Sequence, residues 1–250
     1  MNAYEINDQI RMAKYKVLST KKLDHPLIEK AKESGIAITE QEAIHIKPVL
    51  TTEELKELGI FEGTDTIHII FTSHNAVEIV ASQLKHAGLS PANWKIFCIE
   101  GKTSETVQSL FPDNHILATA AYGKLLANKI LGHEVTRVYF FCGNIRRDEL
   151  PEILKKAHIS INETIVYETI LNPVKIEDEY DAVLFFSPSA VESFFALNKM
   201  KPETICFSIG ETTSNSIRNF TRNNIITSQV PTQQKMIEEV LKHFCVEINN

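Results

Sequence analysis

The stretch Phe71-Thr-Ser-His-Asn-Ala-Val-Glu78 returns, changed but aligned, as Phe185-Phe-Ser-Pro-Ser-Ala-Val-Glu192. In each copy an apolar run (Ile67 to Phe71; Ala182 to Phe186) meets a Ser, and a small polar residue, Asn75 or Ser189, stands three residues before a Glu. That spacing predicts a capping box, in which the cap side chain takes one orphan N–H of the new helix and the Glu reaches back for another. Each copy therefore reads as strand, tight turn, helix, with Asn75 and Ser189 as the expected caps. A second echo follows each first one: Ile99-Glu-Gly101-Lys-Thr103 and Ile209-Gly210-Glu-Thr212-Thr213 again join a β-rich run to a Gly and a hydroxyl at a helix start. Two such units in series imply α/β layering with parallel sheets.

Outward from the first copy the alternation is regular. Helices are expected at 76–86, 104–110, 123–131 and 147–157, and strands at 95–99, 115–118 and 137–142, followed by a longer strand at 159–169. After the second copy come helix 190–197, strand 204–209, helix 213–220, strand 224–227 and a final helix to about Val246. Upstream, strand 15–19, helix 26–32 and the extended 36–39 make one βαβ unit, and Ala43 to Pro48 alternates like a half-exposed strand. Thr51-Thr-Glu-Glu54 offers a further capping box. Met1 to Ala13 carries no motif and reads as a short appended helix or a loose tail.

Counting strands sets the domain layout. The middle segment has strands for its own sheet, whereas the first holds about two and the last three, against a usual sheet of roughly five. The two chain ends are therefore expected to join: residues 1–41 plus 173–250 form one lobe, residues 49–164 a second, inserted lobe, and 42–48 and 165–172 a two-stranded linker.

Bulk properties exclude several classes. The 250 residues are 43% hydrophobic and 23% charged, the balance of ordinary globular material. No run of about 18 apolar residues suits a membrane span, and the N-terminus lacks the pattern of a secretory signal, so a cytoplasmic location is expected. Cys98, Cys142, Cys206 and Cys245 are widely spaced and read as reduced core thiols. A net charge of −6 argues against a nucleic-acid partner but not against a smaller anionic ligand. No heptad argues for oligomerisation, so a monomer is expected.

In open α/β sheets ligands sit at the carboxyl ends of strands beside helix N-termini. Those places hold Thr72, Ser73, Asn75, Gly101, Thr103, Asn144, Ser187, Ser189, Gly210, Thr212, Thr213 and Thr232. They offer neutral donors and helix N–H groups suited to carboxylates or phosphates; the bland reading is that they are simply caps. Gly143-Asn-Ile-Arg146-Arg147 presents an Arg to a ligand carboxylate, or a solvated pair. Tyr122 opens a helix and reads as a cleft residue or as packing. Tyr167, on the expected connector, reads as a proton donor or as a structural phenol. There is no G-x-G-x-x-G, Walker loop, G-x-S-x-G or H-E-x-x-H motif, and the nine His are scattered, so no metal and no cofactor is expected.

Together these residues resemble the uroporphyrinogen-III synthase family. The resemblance rests on Phe71-Thr-Ser-x-Asn-Ala-Val77, Gly101-x-Thr103, Gly143 with the following Arg and Leu150-Pro151, Val166-Tyr-x-Thr169, Phe186-Ser-Pro-Ser-Ala-Val191, Gly210-x-Thr-Thr213 and Pro231-Thr232, and spans nearly the whole chain after the N-terminal tail. Two departures stand out: Lys21-Lys22 with a later Pro26 replaces the family's Arg-Pro, and Ala157-His158 stands where a Gly is expected after the Leu150 helix. The resemblance implies two flavodoxin-like lobes able to open and close around a large ligand. It implies a cofactor-free lyase acting on hydroxymethylbilane, a linear tetrapyrrole with eight carboxylates, with Tyr167 as the candidate acid. Substrate binding is then expected from Thr72, Ser73, Asn75, Gly101, Thr103, Tyr122, Gly143, Arg146, Ser187, Ser189, Gly210, Thr212, Thr213 and Thr232. The competing readings are a non-catalytic two-lobed binding protein for a small polyanion and a degenerate paralogue of the synthase.

Overall fold

The computed structural model describes residues 13–61, 65–91 and 93–246, so the expected N-terminal tail lies, apart from Ala13, outside the described residues. The chain begins with β1 (Tyr15–Ser19), α1 (His25–Glu33), β2 (Ile36–Glu40) and β3 (Ile44–Pro48). It continues with α2 (Thr52–Glu57), β4 (Ile67–Phe71), α3 (His74–Ala87), β5 (Trp94–Ile99), α4 (Lys102–Leu110), β6 (His115–Ala120) and α5 (Gly123–Ile130). Then come β7 (Arg137–Gly143), α6 (Glu149–Lys156), β8 (Ser160–Leu171), β9 (Ala182–Phe185) and α7 (Pro188–Leu197). The last elements are β10 (Ile205–Ser208), α8 (Glu211–Arg218), β11 (Ile225–Thr227) and α9 (Gln233–Val246).

Two compact units result, one made of the described residues up to His45 and from Ile170 onward, the other of Ile46–Thr169. The first holds a five-stranded sheet in the order β11-β10-β9-β1-β2, with every described pairing parallel. One face of it is covered by α1 and α9, whose Ala31, Met236, Ile237 and Val240 pack on Val17, Leu184 and Phe207. The other face takes α7 and α8 through Val191, Phe194 and Ile217. The second sheet is six-stranded, β3-β8-β7-β4-β5-β6, so the two expected connectors are themselves neighbouring strands at its edge. Along β4 the side chains alternate between faces: Ile69 and Phe71 join α2, α3 and α4, while Ile70 joins α5 and α6. Burial on both faces is why Ile69, Ile70 and Phe71 are apolar in succession.

Helix α3 buries Ala76, Val77, Val80 and Leu84 along one stripe, and Gly88, at φ 65°, ends it in the left-handed conformation that a residue without Cβ adopts at least cost. Truncating Leu84, 3% exposed, to Ala would cost about 2–5 kcal/mol.

The expected caps are corrected. Ser73 and Ser187, extended at φ −145° and −164°, are the N-caps, accepting from the N–H groups of Asn75 and Ala190 at 3.2 and 3.1 Å. The helices therefore begin at His74 and Pro188, and Glu78 and Glu192 fall too far along to reach back. Pro188 suits this start because its missing N–H is one of the orphans anyway. The box does form at Thr51 and Glu54, where both halves are present. Helices α4 and α8 likewise begin earlier than expected, capped by Gly101 and Gly210 without a side-chain bond, which puts Thr103 and Thr213 inside the first turn.

The departure at Ala157-His158 has a structural counterpart. His158 holds φ 60°, and the bonds from the His158 N–H to the Lys155 carbonyl and from the Ile159 N–H to the Leu154 carbonyl, both 3.0 Å, close α6 as a Schellman motif. Ile159 and Leu154 complete it by packing in the same core.

Candidate functional site

In the second sheet the chain builds β4, β5 and β6 toward one edge and then crosses to β7 on the other side of β4. At such a reversal the connections leave in opposite directions and open a crevice beyond the strands' carboxyl ends. A pocket of about 290 Å³ occupies this place in the Ile46–Thr169 unit. Thr72 and Ser73 after β4, Tyr122 and Gly123 at the start of α5, Gly143 at the end of β7, Arg146 and Arg147 after it, and Tyr167 of β8 line it. The N-termini of α3, α5 and α6 all reach its wall through Ser73, Gly123 and Glu149. Their partial positive ends favour anionic groups there.

Tyr167 owes its direction to an irregularity. The β7–β8 register runs Cys142 to Ile165 but Gly143 to Tyr167, so one extra residue sits on β8 and turns the strand locally. Val166 and Tyr167, at 0% and 8% exposure, end up in the same core cluster, although neighbours in a regular strand face opposite ways. The phenol ring lies against Gly143: a Cβ built there would meet Tyr167 Cε2 and Cζ at 2.5 Å, so this glycine is required for close approach. Burial above all holds the phenol above its ordinary value of 10, while hydrogen bonds from the Ser73 and Asn75 side chains work the other way. The result is a neutral, protonated donor across the physiological range, with partners that favour the phenolate once the proton leaves.

Arg146 is less available than expected. It pairs with Asp148 and with Glu163 of β8, and Glu163 also meets Lys155 at 2.9 Å. It serves chiefly as a cross-brace from the turn to β8. The pocket mouth is apolar instead: Ile145 is 54% and Tyr122 47% exposed, both large side chains left open to solvent.

The structure thus gathers Thr72, Ser73, Tyr122, Gly143, Arg146 and Tyr167 in one pocket, with Asn75 adjoining through its bond to the phenol. It does not bring Gly101 or Thr103 into that lining, and Thr103 is buried at 6% exposure. Ser187, Ser189, Gly210, Thr212, Thr213 and Thr232 lie in the other unit. Of these, Ser187 caps α7, Thr232 accepts from the Lys235 N–H at 3.2 Å as a cap of α9, and Ser189 and Thr213 are buried. Sequence reasoning missed Ile99, Ile145, Glu149 and Leu150 of the lining. The one usable signal was Ile145, an apolar residue set in a polar turn between Asn144 and Arg146.

Three cysteines are buried among the described residues. Cys98 and Cys142 are free thiols that burial pushes up to about 11, and Cys206 is pushed up to about 12, so none is a ready nucleophile. No group of three or more His, Cys, Asp or Glu there is placed to hold a metal ion, and no described helix is long and apolar enough to cross a membrane.

A family model described as uroporphyrinogen-III synthase HemD matches residues 25–238. Among solved structures, the chain is similar to uroporphyrinogen-III synthetase from Helicobacter pylori, at 17% identity and a TM-score of 0.62 over 92% of this chain and 99% of that one. It is also similar to a mutant uroporphyrinogen III synthase from Thermus thermophilus, at 13% identity and a TM-score of 0.67 over 93% of this chain and 99% of that one. The wild-type protein of that organism matches at 14% identity and a TM-score of 0.54 over 94% and 99%. At these identities the structural likeness speaks for the two-sheet α/β fold.

Proposed function

The chain belongs to the uroporphyrinogen-III synthase family, cyclising lyases of tetrapyrrole synthesis, and on that premise we propose that it closes hydroxymethylbilane to uroporphyrinogen III with Tyr167 as the acid. The observation that carries this reading is the buried, neutral Tyr167 phenol facing a pocket ringed by helix N-termini. At about 290 Å³ the pocket is at the low end of the roughly 300–1,000 Å³ that takes drug-sized ligands, so it suits one end of the substrate and not all four rings. The apolar mouth at Tyr122 and Ile145 offers surface to the flat face of a pyrrole, and the helix ends take its carboxylates.

The chemistry asks little more. Tyr167 gives its proton to the departing hydroxyl, the pyrrole electrons expel water, and the azafulvene so formed is attacked by the substituted carbon of the last ring. In the spiro intermediate the bond from the substituted carbon to its original bridging carbon breaks. That bridging carbon rejoins the ring at the unsubstituted α-carbon, inverting it, and loss of the proton there restores aromaticity and returns it to the Tyr167 phenolate. Holding the reacting ends together supplies most of the acceleration, and the acid adds roughly 10²–10⁴-fold. Ser73 and Asn75 stabilise the phenolate left behind.

The same reading takes the enzyme as a cytoplasmic monomer that meets neither nucleic acid nor membrane. The free buried thiols fit a reducing compartment. A non-catalytic polyanion-binding protein is not favoured, since the matching family is one of enzymes. Purified protein incubated with freshly made hydroxymethylbilane should yield the type III isomer; type I alone, at the uncatalysed rate, would mark a chain that keeps the scaffold without the activity.

A further inference from the structure

The turn after β7 contains a polar residue that the chemistry above does not use. Asn144 stands beside the register shift, where a strand pair loses regular ladder bonds. Its backbone N–H donates to the Tyr167 carbonyl at 3.1 Å. Its side-chain Oδ1 accepts from two backbone N–H groups at once, Ile145 at 2.9 Å and Thr169 at 2.8 Å. One residue thus grips β8 immediately after the Tyr167 side chain, at the carbonyl of 167 and the amide of 169. The same oxygen fixes the first peptide of the turn that carries Ile145, Arg146 and Arg147 into the pocket wall. Gly143, immediately before it, is the surface on which the phenol ring rests. Asn144 itself does not line the pocket.

We infer that Asn144 is a positioning residue, setting the Tyr167 phenol and the pocket turn in register through the backbone of β8. This rests on the reading of Tyr167 as the acid. Asn144 is solvent-exposed, so its bonds contribute little to global stability. Its effect on geometry is another matter, because a misplacement of about 1 Å can cost ~10²-fold in rate.

The test compares Asn144→Ala and Asn144→Asp in the full chain with two readouts. One is conversion of hydroxymethylbilane to the type III isomer. The other is the ring signal of Tyr167 in tyrosine-labelled protein by NMR, assigned by its loss in Tyr167→Phe. Asn144→Ala should lower kcat by about 10- to 100-fold at nearly constant KM and shift the Tyr167 signal. Asn144→Asp keeps an acceptor for both amides, so it should recover most of kcat and the signal while raising KM, because it adds a negative charge near a polyanionic substrate. An Asn144→Ala protein with unchanged kcat and signal overturns the inference, as does an Asn144→Asp protein as impaired in kcat as Asn144→Ala. Should Asn144→Ala not fold, Asn144→Ser, whose side chain is too short to bridge both amides, takes its place with the same expected outcome. If the wild type forms no type III isomer, the functional reading fails, and the Tyr167 signal alone then decides whether Asn144 positions the phenol.

Discussion

The two strand-turn-helix copies start from nearly the same code and end differently. Phe71 to Glu78 and Phe185 to Glu192 each finish a buried strand, cap a helix with Ser and send an Ala-Val pair into the core. Beyond the first copy a pocket opens, because β8 brings Tyr167 beside Ser73 and the switch between β4 and β7 leaves room at Gly143. Beyond the second, at the switch between β1 and β9, hydroxyls are turned inward. The Thr20 hydroxyl and N–H both bond the Leu184 carbonyl, at 2.8 and 3.1 Å, and Ser19 Oγ donates to the Lys21 carbonyl at 2.6 Å. Ser208 of the neighbouring β10 and Thr227 of β11 both meet Ser214 in a hydroxyl chain. A cap is thus not a site: what the adjacent strand delivers to it decides.

The sharpest way to break this contrast is to remove the phenol. Tyr167→Phe should lower kcat by about 10²–10⁴-fold with the fold intact by circular dichroism; near-wild-type turnover would return the first copy to the status of the second. Because the folded phenol titrates above its ordinary value, the donor form persists through neutral pH, and kcat should fall only as pH rises past about 10. The raised value also contributes stability that is present at neutral pH and lost as pH climbs through it.

Next in size is Gly143→Ala. The added methyl group overlaps the Tyr167 ring, so a kcat loss of up to ~10²-fold, together with about 1–3 kcal/mol of overpacking in thermal melts, is expected. A smaller pair of changes compares the copies directly. Ser73→Ala and Ser187→Ala each remove one cap bond and should each cost roughly 0.5–2 kcal/mol. Only Ser73→Ala should also slow turnover, about tenfold for one lost hydrogen bond to the phenol; equal kinetic losses would erase the distinction. The smallest effect serves as a control. His158→Gly relieves a left-handed backbone at the end of α6 and should stabilise the protein by about 1 kcal/mol. Its kcat should stay unchanged, separating stability from pocket geometry.

Much of this was legible in the sequence because it is local. Apolar runs, helix stripes and the strand count lead to two parallel α/β layers, and the Thr51-Glu54 box forms as written. The caps at Asn75 and Ser189 were misplaced because Ser, Asn and Glu at similar offsets fit more than one starting residue. Only the extended backbone at Ser73 and Ser187 decides between them. Arg146 read as a ligand donor because nothing nearby in sequence reveals Glu163, which reaches it from the adjoining strand.

The sequence by itself determined the layering, the repeated turn and the candidacy of Tyr167, since each follows from periodicity and residue type over short spans. Tertiary structure alone decided which hydroxyls open onto a pocket and which are buried. It also decided that Tyr167 turns inward, because that depends on a one-residue register shift between β7 and β8 and on a glycine and an asparagine more than twenty positions away. Pairing across strands is set by the packing of whole sheets, and no local pattern encodes it.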